Sequence, residues 1–330
     1  MRPLPLAPAA ATVALALAAC AGGGQDGAPA TTATTATDGD PAAELTAITV
    51  GVLPIVDTAP IWLGVEEGIF AEHGLDVELA VAQGGAAVVP AVVAGEYQFG
   101  FSNVTSLLLA ESRGLPLRLV APGSFTTGDP DADIAAVVTQ PGSGITSPAD
   151  LAGRTVAVNT LGNIGESTVR KVVEDAGGDP AAVRFVELGF PDMPAAVAGD
   201  QVDAAWVNEP FLTITRDQGA QVVSHTFAAV DPEMLIAAYF TSAEYAASDP
   251  GTVEAFTAAM TEASARAAAD PAAAREILGT YTEIGDDVVA RMVVPRYAGE
   301  VPEDSVRLLA DLALRYGLVE DEIDVSALLR

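Results

Sequence analysis

The 330-residue sequence predicts an α/β protein built from two similar lobes. Strand and helix patterns alternate with short connections through the first two thirds of the chain, which is typical of parallel sheets flanked by helices. Half of the residues are apolar and 18% are charged, a composition that suits a folded protein with sizeable cores. The segment AVVAGEYQFGFSN at residues 91–103 is echoed by AAVAGDQVDAAWVN at residues 195–208, which suggests two copies of one unit.

The elements of the first lobe begin with a strand at residues 48–53 and a single helix at residues 60–73. Pro60 suits the first turn of that helix, and Gly74 ends it. Asn103 caps a later helix, which Gly114 closes. The remaining predictions here are strands at 75–79, 98–101 and 117–121 and helices at 86–94 and 104–112. We assign residues 45–133 to lobe I.

The second block repeats the alternation. Val169, Val172 and Val173 form an apolar stripe on a helix at residues 164–176, which Gly177 ends. The other predictions are strands at 134–139, 154–158, 184–188, 202–206 and 221–224 and helices after Ser147, at 194–198 and after Pro210. These elements assign residues 137–228 to lobe II. A strand at 235–241 returns to the first lobe, so the largely helical residues 234–330 complete lobe I.

The N-terminus has the pattern of a bacterial lipoprotein signal. An apolar run at residues 9–19 is too short to span a bilayer, and it ends in the sequence LAAC at residues 17–20. We predict that residues 1–19 are removed, that Cys20 is lipidated and anchors the protein to the cell membrane, and that residues 20–44 form a flexible tether. A plain secretory signal with an incidental cysteine is the alternative.

Charge and composition exclude several functions. The chain has 45 acidic and 15 basic residues, for a formal net charge of −30, and such a surface repels nucleic acid. Cys20 is the single cysteine, and His73 and His225 lie far apart, so we expect no metal site and no cofactor. An enzyme needs a nucleophile, an acid/base pair or a metal. Asp57 with Glu209 is the one candidate pair, and we assign no catalytic residue.

Glycines and small hydrogen-bonding residues concentrate in the loops that follow the predicted strands, where parallel sheets form ligand crevices. The loop NTLGNIG at residues 159–165 is the strongest candidate; Thr160 and Asn163 cap the following helix, contact ligand, or do both. These loops contain Asp57, Asp192 and Glu209 but no Lys or Arg. An anionic ligand would therefore depend on helix starts and hydroxyls, whereas a neutral or cationic ligand would use the carboxylates. The aromatic candidates for stacking a planar ring, or for packing, are Trp62, Phe125, Phe190, Trp206 and Phe211.

A series of motifs runs in order from about residue 46 to residue 223. It begins with APIWLGVEEGIF at residues 59–70 and EHGLDVEL at residues 72–79. It continues with AGE before FGF near residue 100, SPADLAGRTVAV at 147–158, AGDQVDAA at 198–205 and NEPF at 208–211. As a set, these motifs resemble the solute-binding proteins of ABC importers of the nitrate/sulfonate/taurine/thiamine-pyrimidine type.

The resemblance implies a type II periplasmic-binding-protein fold, with two lobes that are joined by two crossings and close on ligand by a hinge. It implies an extracytoplasmic, monomeric protein that delivers a small molecule to a permease and an ATPase. The ligand contacts that it implies are Asp57, Thr58, Gly85, Ser102, Asn103, Thr160, Asn163 and Glu209, and the aromatic candidates Trp62 and Phe125 complete the predicted site.

The ligand itself stays open between a sulfonate- or nitrate-type anion and an aminated pyrimidine or other aromatic compound. A lipid-anchored ligand sensor is the alternative function. A pyrimidine-synthesising enzyme on the same fold is the other alternative, although the cysteine-rich motif of that enzyme is absent from the sequence.

Overall fold

The computed structural model describes residues 44–297 and 299–329. The predicted signal sequence, Cys20 and tether residues 20–43 lie outside the described residues. The described strands form two five-stranded sheets. Their bounds are β1 Thr46–Val52, β2 Leu75–Val81, β3 Phe99–Asn103, β4 Leu117–Phe125, β5 Ala135–Thr139, β6 Thr155–Val158, β7 Arg184–Glu187, β8 Ala204–Asn208, β9 Gln221–Ser224 and β10 Leu235–Ser242.

Each sheet is mixed in the same way. The first has the order β2-β1-β3-β10-β4, and the second has the order β7-β6-β8-β5-β9. In the first sheet β10 pairs antiparallel with both neighbours, while β1 pairs parallel with β2 and β3. In the second sheet β5 is the strand that runs against the others. Four of the five strands in each sheet therefore share one direction, as the prediction of mostly parallel sheets requires.

Helices pack on these sheets and form most of the C-terminal part. Their bounds are α1 Ala59–Glu66, α2 Ile69–Glu72, α3 Gly85–Val93, α4 Val104–Ser112, α5 Ile164–Asp175, α6 Met193–Ala198, α7 Phe211–Asp217, α8 Thr226–Val230, α9 Ala243–Ser248, α10 Pro250–Ala269, α11 Pro271–Glu276, α12 Leu278–Tyr281, α13 Asp286–Val289 and α14 Glu303–Arg315. One-turn 3-10 helices lie at Val56–Thr58, Pro148–Leu151, Pro180–Ala182, Phe190–Asp192 and Val325–Ala327. Within the described residues, no helix is both long and apolar enough to cross a membrane.

Several predicted elements have other bounds in the structure, and three of these differences have a clear physical cause. The single helix at 60–73 is two helices, because Gly68 adopts a left-handed conformation with φ 81° between them. Strand β4 continues to Phe125 instead of ending at residue 121, since its antiparallel pairing with β10 extends to that residue. Strand β8 begins and ends two residues later than predicted, and it therefore carries Asn208 at its carboxyl end.

The first sheet packs against α10 through buried aromatic rings. The rings of Phe99 and Phe256 stack with centroids 3.9 Å apart, and Tyr239 meets Phe256 edge-on at 5.8 Å. All three side chains are fully buried. Such rings bury a large apolar area each, so this contact holds the C-terminal helices to the strands that carry the loops described below.

Two segments connect the sheets, from β4 to β5 and from β9 to β10, and Asp133 ties them together. Its buried carboxylate accepts hydrogen bonds from Thr126 Oγ1 and from the backbone N–H groups of Thr127 and Ile134 on the first segment. It also accepts one from the N–H of Ala228, at 2.9 Å, on the second segment. Burial lowers the pKa of His225, whose Nδ1 lies 3.2 Å from the carbonyl oxygen of Ala135.

Candidate functional site

A small cavity lies between the loops at the carboxyl ends of the two sheets. Its volume is about 30 Å³, so anything larger than a few atoms requires the loops to move apart. Fifteen described residues line it, and none of them is Lys or Arg. The polar members are Asp57, Asn103, Asn159, Asn163 and Asn208, and the others are Leu53, Ile55, Gly85, Phe101, Ile164, Phe190, Trp206, Phe227, Ile236 and Ala237.

Asp57 is the one ionisable group of the lining. It lies in the one-turn helix after β1 and is 1% exposed. Its Oδ1 accepts a hydrogen bond from Ser124 Oγ at 2.6 Å, and its Oδ2 accepts one from Asn208 Nδ2 at 2.8 Å. Burial raises the pKa of the Asp57 carboxyl above its ordinary value, although these hydrogen bonds partly offset the effect. The carboxylate is thus buried with neutral partners and without a basic side chain at the cavity.

Amide side chains that follow strands of both sheets line the same cavity as this carboxylate. Asn103 caps α4 by accepting from the N–H of Ser106 at 2.9 Å, and it lies 3.3 Å from the N–H of Ile164 at the start of α5. Asn163 caps α5 by accepting from the N–H of Glu166 at 3.0 Å, and it donates to Asn159 Oδ1 at 2.6 Å. Both caps therefore also line the cavity, which is the combination of roles that the sequence left open for Asn163.

The start of α3 brings the first backbone N–H groups of a helix to the cavity. Gly85 is the first residue of α3, and the residue before it provides no side-chain cap. A Cβ atom at Gly85 would lie 2.2 Å from Ser102 Oγ, so only glycine fits here. The Ser102 hydroxyl is fully buried and has no hydrogen-bond partner among the described residues. The first N–H groups of a helix lack partners within the helix, so this corner can donate to an acceptor atom of a ligand.

Aromatic rings form much of the apolar wall. The rings of Phe190 and Trp206 are 5.8 Å apart, and Phe227 meets Trp206 edge-on at 5.6 Å. Trp206 Nε1 donates to Thr226 Oγ1 at 3.0 Å, which fixes the indole. Phe101 approaches from the first sheet. These rings offer flat apolar faces beside a carboxylate and several amides.

The structure brings some of the predicted site residues together and separates others. Asp57, Gly85, Asn103 and Asn163 line the cavity, Ser102 lies behind Gly85, and Thr160 lies against Gly84 at the rim. Thr58 turns its hydroxyl to the carbonyl oxygens of Leu53 and Ile55, at 2.7 and 3.1 Å. Trp62 stacks on Tyr281 with ring centroids 4.4 Å apart and lies outside the cavity.

Phe125 and Glu209 also lie outside the lining. Phe125 pairs with Arg296 through backbone hydrogen bonds at the end of β4. The Glu209 carboxylate accepts from the N–H and hydroxyl of Thr213 at 3.0 and 2.8 Å, and from the N–H of Val293 at 3.2 Å. Burial raises the pKa of Glu209, yet these contacts make it a cap of α7. The carboxylates of Asp57 and Glu209 thus accept hydrogen bonds from different residues.

Two partners of Asp57 are absent from the predicted set. Asn208 follows the predicted strand at 202–206, and Ser124 follows the predicted strand at 117–121. Both strands are longer at their carboxyl ends than the apolar pattern indicates. The same signal was available for both residues, because each lies in a loop that is predicted to follow a strand end and to border the crevice.

The sequence matches the profile of a family described as NMT1/THI5 like over residues 56–274. A formylaminopyrimidine-binding protein from Halalkalibacterium halodurans is 28% identical over 144 residues, which are 44% of this chain and 41% of that protein. The match thus spans less than half the length of that relative. A putative ABC transporter periplasmic binding protein from Brachyspira hyodysenteriae is 26% identical over 311 residues and 86% of each chain.

Among solved structures, the alkanesulfonate-binding protein SsuA from Xanthomonas axonopodis pv. citri bound to MOPS superposes with a TM-score of 0.74. The likeness covers 87% of this chain and 99% of that one at 19% identity, so it concerns the fold. It confirms the two-lobed binding-protein fold that the sequence predicts.

Proposed function

Because this chain belongs to the NMT1/THI5-like family, we propose that it is the extracytoplasmic solute-binding component of an ABC importer. We propose further that its ligand is a planar, aminated nitrogen heterocycle such as an aminopyrimidine. The observation that carries the choice of ligand is the buried Asp57 in a cavity whose lining has no basic side chain.

Charge separates the two ligand classes that the sequence left open. A sulfonate or nitrate would bring a second negative charge to the buried carboxylate, which is unfavourable at low dielectric. An amino group or a protonated ring nitrogen would instead donate a hydrogen bond to Asp57. This bond would replace the hydration that the carboxylate loses on burial. The aromatic wall suits a flat ring, and the start of α3 suits an acceptor atom of that ring.

The names of similar proteins point to both ligand classes. One relative is named for binding formylaminopyrimidine, and another is named as a putative ABC transporter periplasmic binding protein. The similar solved structure is named for alkanesulfonate, which is the competing class. The ligand of this chain therefore has to be decided by its own cavity.

A ligand screen on the full chain tests the proposal. We expect 4-aminopyrimidine to raise the melting temperature of the wild-type protein, and methanesulfonate and nitrate to leave it unchanged, since a ligand that binds only the folded state stabilises it. The Asp57→Asn variant should bind 4-aminopyrimidine about 10- to 100-fold more weakly, the scale of a hydrogen bond to a charged group. The matched control is Glu209→Gln, which changes a buried carboxylate outside the cavity lining.

The outcomes separate ligand class from function. Binding of the anions with equal affinity to wild type and Asp57→Asn would overturn the ligand class and leave a binding protein. No response to any probe would remove the support for this ligand chemistry. Deletion of the gene should abolish uptake of labelled ligand by the cells, and expression of the wild-type chain should restore it. Uptake that does not change on deletion would favour a sensor.

We propose that Cys20 carries the lipid anchor and that the protein acts as a monomer beside the permease and ATPase. Replacing Cys20 with Ala should move the protein from the membrane fraction to the supernatant. Membrane retention of the Cys20→Ala protein would contradict the anchor.

A further inference from the structure

The backbone conformation of Gly84 does not itself require glycine. It precedes α3 with φ −164° and ψ 153°, which is extended backbone that any residue adopts. The left-handed glycines of the chain, such as Gly68 and Gly162, are different, because their φ values of 81° and 70° disfavour other residues. The requirement at Gly84 must therefore come from what lies next to it.

The neighbour is a threonine of the opposite lobe. A Cβ atom at Gly84 would lie 2.6 Å from Oγ1 of Thr160, which follows β6 in the second sheet. The next atoms are Asn159 Nδ2 at 3.6 Å and Thr160 Cβ at 4.0 Å, both ordinary contact distances. A side chain at position 84 therefore requires this hydroxyl of the opposite lobe, or the loop that carries it, to shift.

This contact lies at the rim of the cavity. Gly85 and Asn159, the chain neighbours of the two residues, both line the cavity. Two glycines of the second lobe also lie close to side chains of the first lobe near the cavity. A Cβ atom at Gly189 would lie 3.5 Å from Gln83 Oε1, and one at Gly162 would lie 3.2 Å from Leu109 Cδ2. Of the three, the contact of Gly84 with Thr160 is the tightest.

We propose that the contact between Gly84 and Thr160 is the stop that sets how far the lobes close, so that glycine at position 84 permits full closure over a flat ligand. This inference rests on the proposed function, in which closure retains the ligand. A side chain at position 84 holds the rim apart without touching the ligand. It should weaken binding mainly through faster release, because an incompletely closed cleft still admits the ligand.

A double-mutant cycle on the full chain tests the stop, with 4-aminopyrimidine as the probe. Gly84→Ala should weaken binding about tenfold or more, the scale of overpacking by one methyl group. Thr160→Ala is the reference for the second position. In that background the Gly84→Ala change should weaken binding far less than it does in the wild type, since removal of Oγ1 leaves only contacts of 3.6 Å and longer. Gly84→Ser adds the same Cβ atom with a preferred helix cap, so it should bind weakly while α3 stays stable.

The controls distinguish closure from a general defect. Gly279→Ala adds a methyl group at a helical glycine with nothing within 4 Å, and it should bind like wild type. In a Trp62→Phe background, Trp206 is the remaining tryptophan and lines the cavity, so its fluorescence reports closure. Wild-type affinity in Gly84→Ala would overturn the stop, and so would a Gly84→Ala change that costs as much binding in the Thr160→Ala background as in the wild type.

A disulfide trap tests the same contact without any ligand. The distance of 4.0 Å between the two Cβ positions lies within the range that a disulfide spans. The Gly84→Cys/Thr160→Cys pair should therefore oxidise to an internal disulfide that blocks access to the cavity. The two single-cysteine variants account for pairing with Cys20. Failure of the pair to oxidise would overturn the closure stop, whereas failure of every ligand probe with a trapped disulfide would overturn only the proposed ligand.

Discussion

At the scale of single residues, the sequence predicts which types of side chain line the cavity better than it predicts which individual residues do. Asp57, Gly85, Asn103 and Asn163 follow strand ends in the sequence and line the cavity in the structure. Glu209 also follows a strand end, but its carboxylate turns to Thr213, and Trp62, an aromatic candidate on the first helix, packs on Tyr281. The rotation of a side chain about its own helix depends on packing partners far along the chain. Loop position alone cannot supply that information.

Asp57 should make the stability of the protein depend on pH. Its pKa is raised in the folded state, so the folded protein keeps a proton that the unfolded chain releases above the ordinary value of 3.8. The favourable contribution is present below that value and is lost as pH rises through the folded pKa. The Asp57→Asn variant cannot ionise. The melting temperature of Asp57→Asn minus that of wild type should therefore rise between about pH 4 and pH 8. Each 1 kcal/mol of difference in the free energy of unfolding corresponds to about 2–4 °C.

Thermal unfolding at several pH values measures this difference. Asp76→Asn, on the exposed face of β2, is the matched control, because it replaces an exposed carboxyl instead of a buried one. Glu209 keeps its own raised pKa in every variant, so the melting temperature of each variant changes with pH for this reason as well. The test is therefore the difference between Asp57→Asn and wild type at each pH. An offset for Asp57→Asn that shrinks as pH rises would show that the folded state favours the ionised carboxylate.

At the scale of elements, local signals fix helix ends where a cap and a glycine coincide. Helix α4 has the predicted bounds, because Asn103 accepts from the N–H of Ser106 and the chain turns at Gly114 with φ 78°. The ends of strands carry no such signal. β4 and β8 extend beyond their predicted ends because β10 and β5 pair with them, and those partners are distant in sequence. The missed contacts Ser124 and Asn208 lie in these extensions.

The cap of α5 should be worth more than an exposed cap. Asn163→Ala removes the acceptor for the N–H of Glu166 and leaves the buried Asn159 without its donor. We expect a loss of about 1–3 kcal/mol in the free energy of unfolding, of which about 1 belongs to the cap itself. Denaturant unfolding measures it, and Asn163→Asp, which keeps the cap oxygens, serves as the comparison. Equal losses in the two variants would mean that the cap contributes little.

At the scale of the whole molecule, the chain order of strands and helices is enough to predict two α/β lobes. The repeated segment near residues 100 and 200 corresponds to equivalent strands, since β3 and β8 are both the central strands of their sheets. The strand that runs against the others in each sheet is not evident from an apolar pattern, which carries no direction. The apolar pattern also does not reveal the connection between the sheets, because Asp133 and Ala228, which form a hydrogen bond there, are far apart in the sequence.

Asp133 should be the side chain on which that connection most depends. Asp133→Ala would leave the N–H groups of Thr127, Ile134 and Ala228 without their acceptor in a buried place. Each orphaned donor carries a desolvation cost, so we expect a loss of roughly 3–5 kcal/mol in the free energy of unfolding. Asp133→Asn keeps one acceptor oxygen and should lose less. Asp129→Ala, exposed on the same connecting segment, should change little, and denaturant unfolding of the three variants orders them. A loss in Asp133→Ala as small as that in Asp129→Ala would place the strength of the connection in the backbone pairing around it instead.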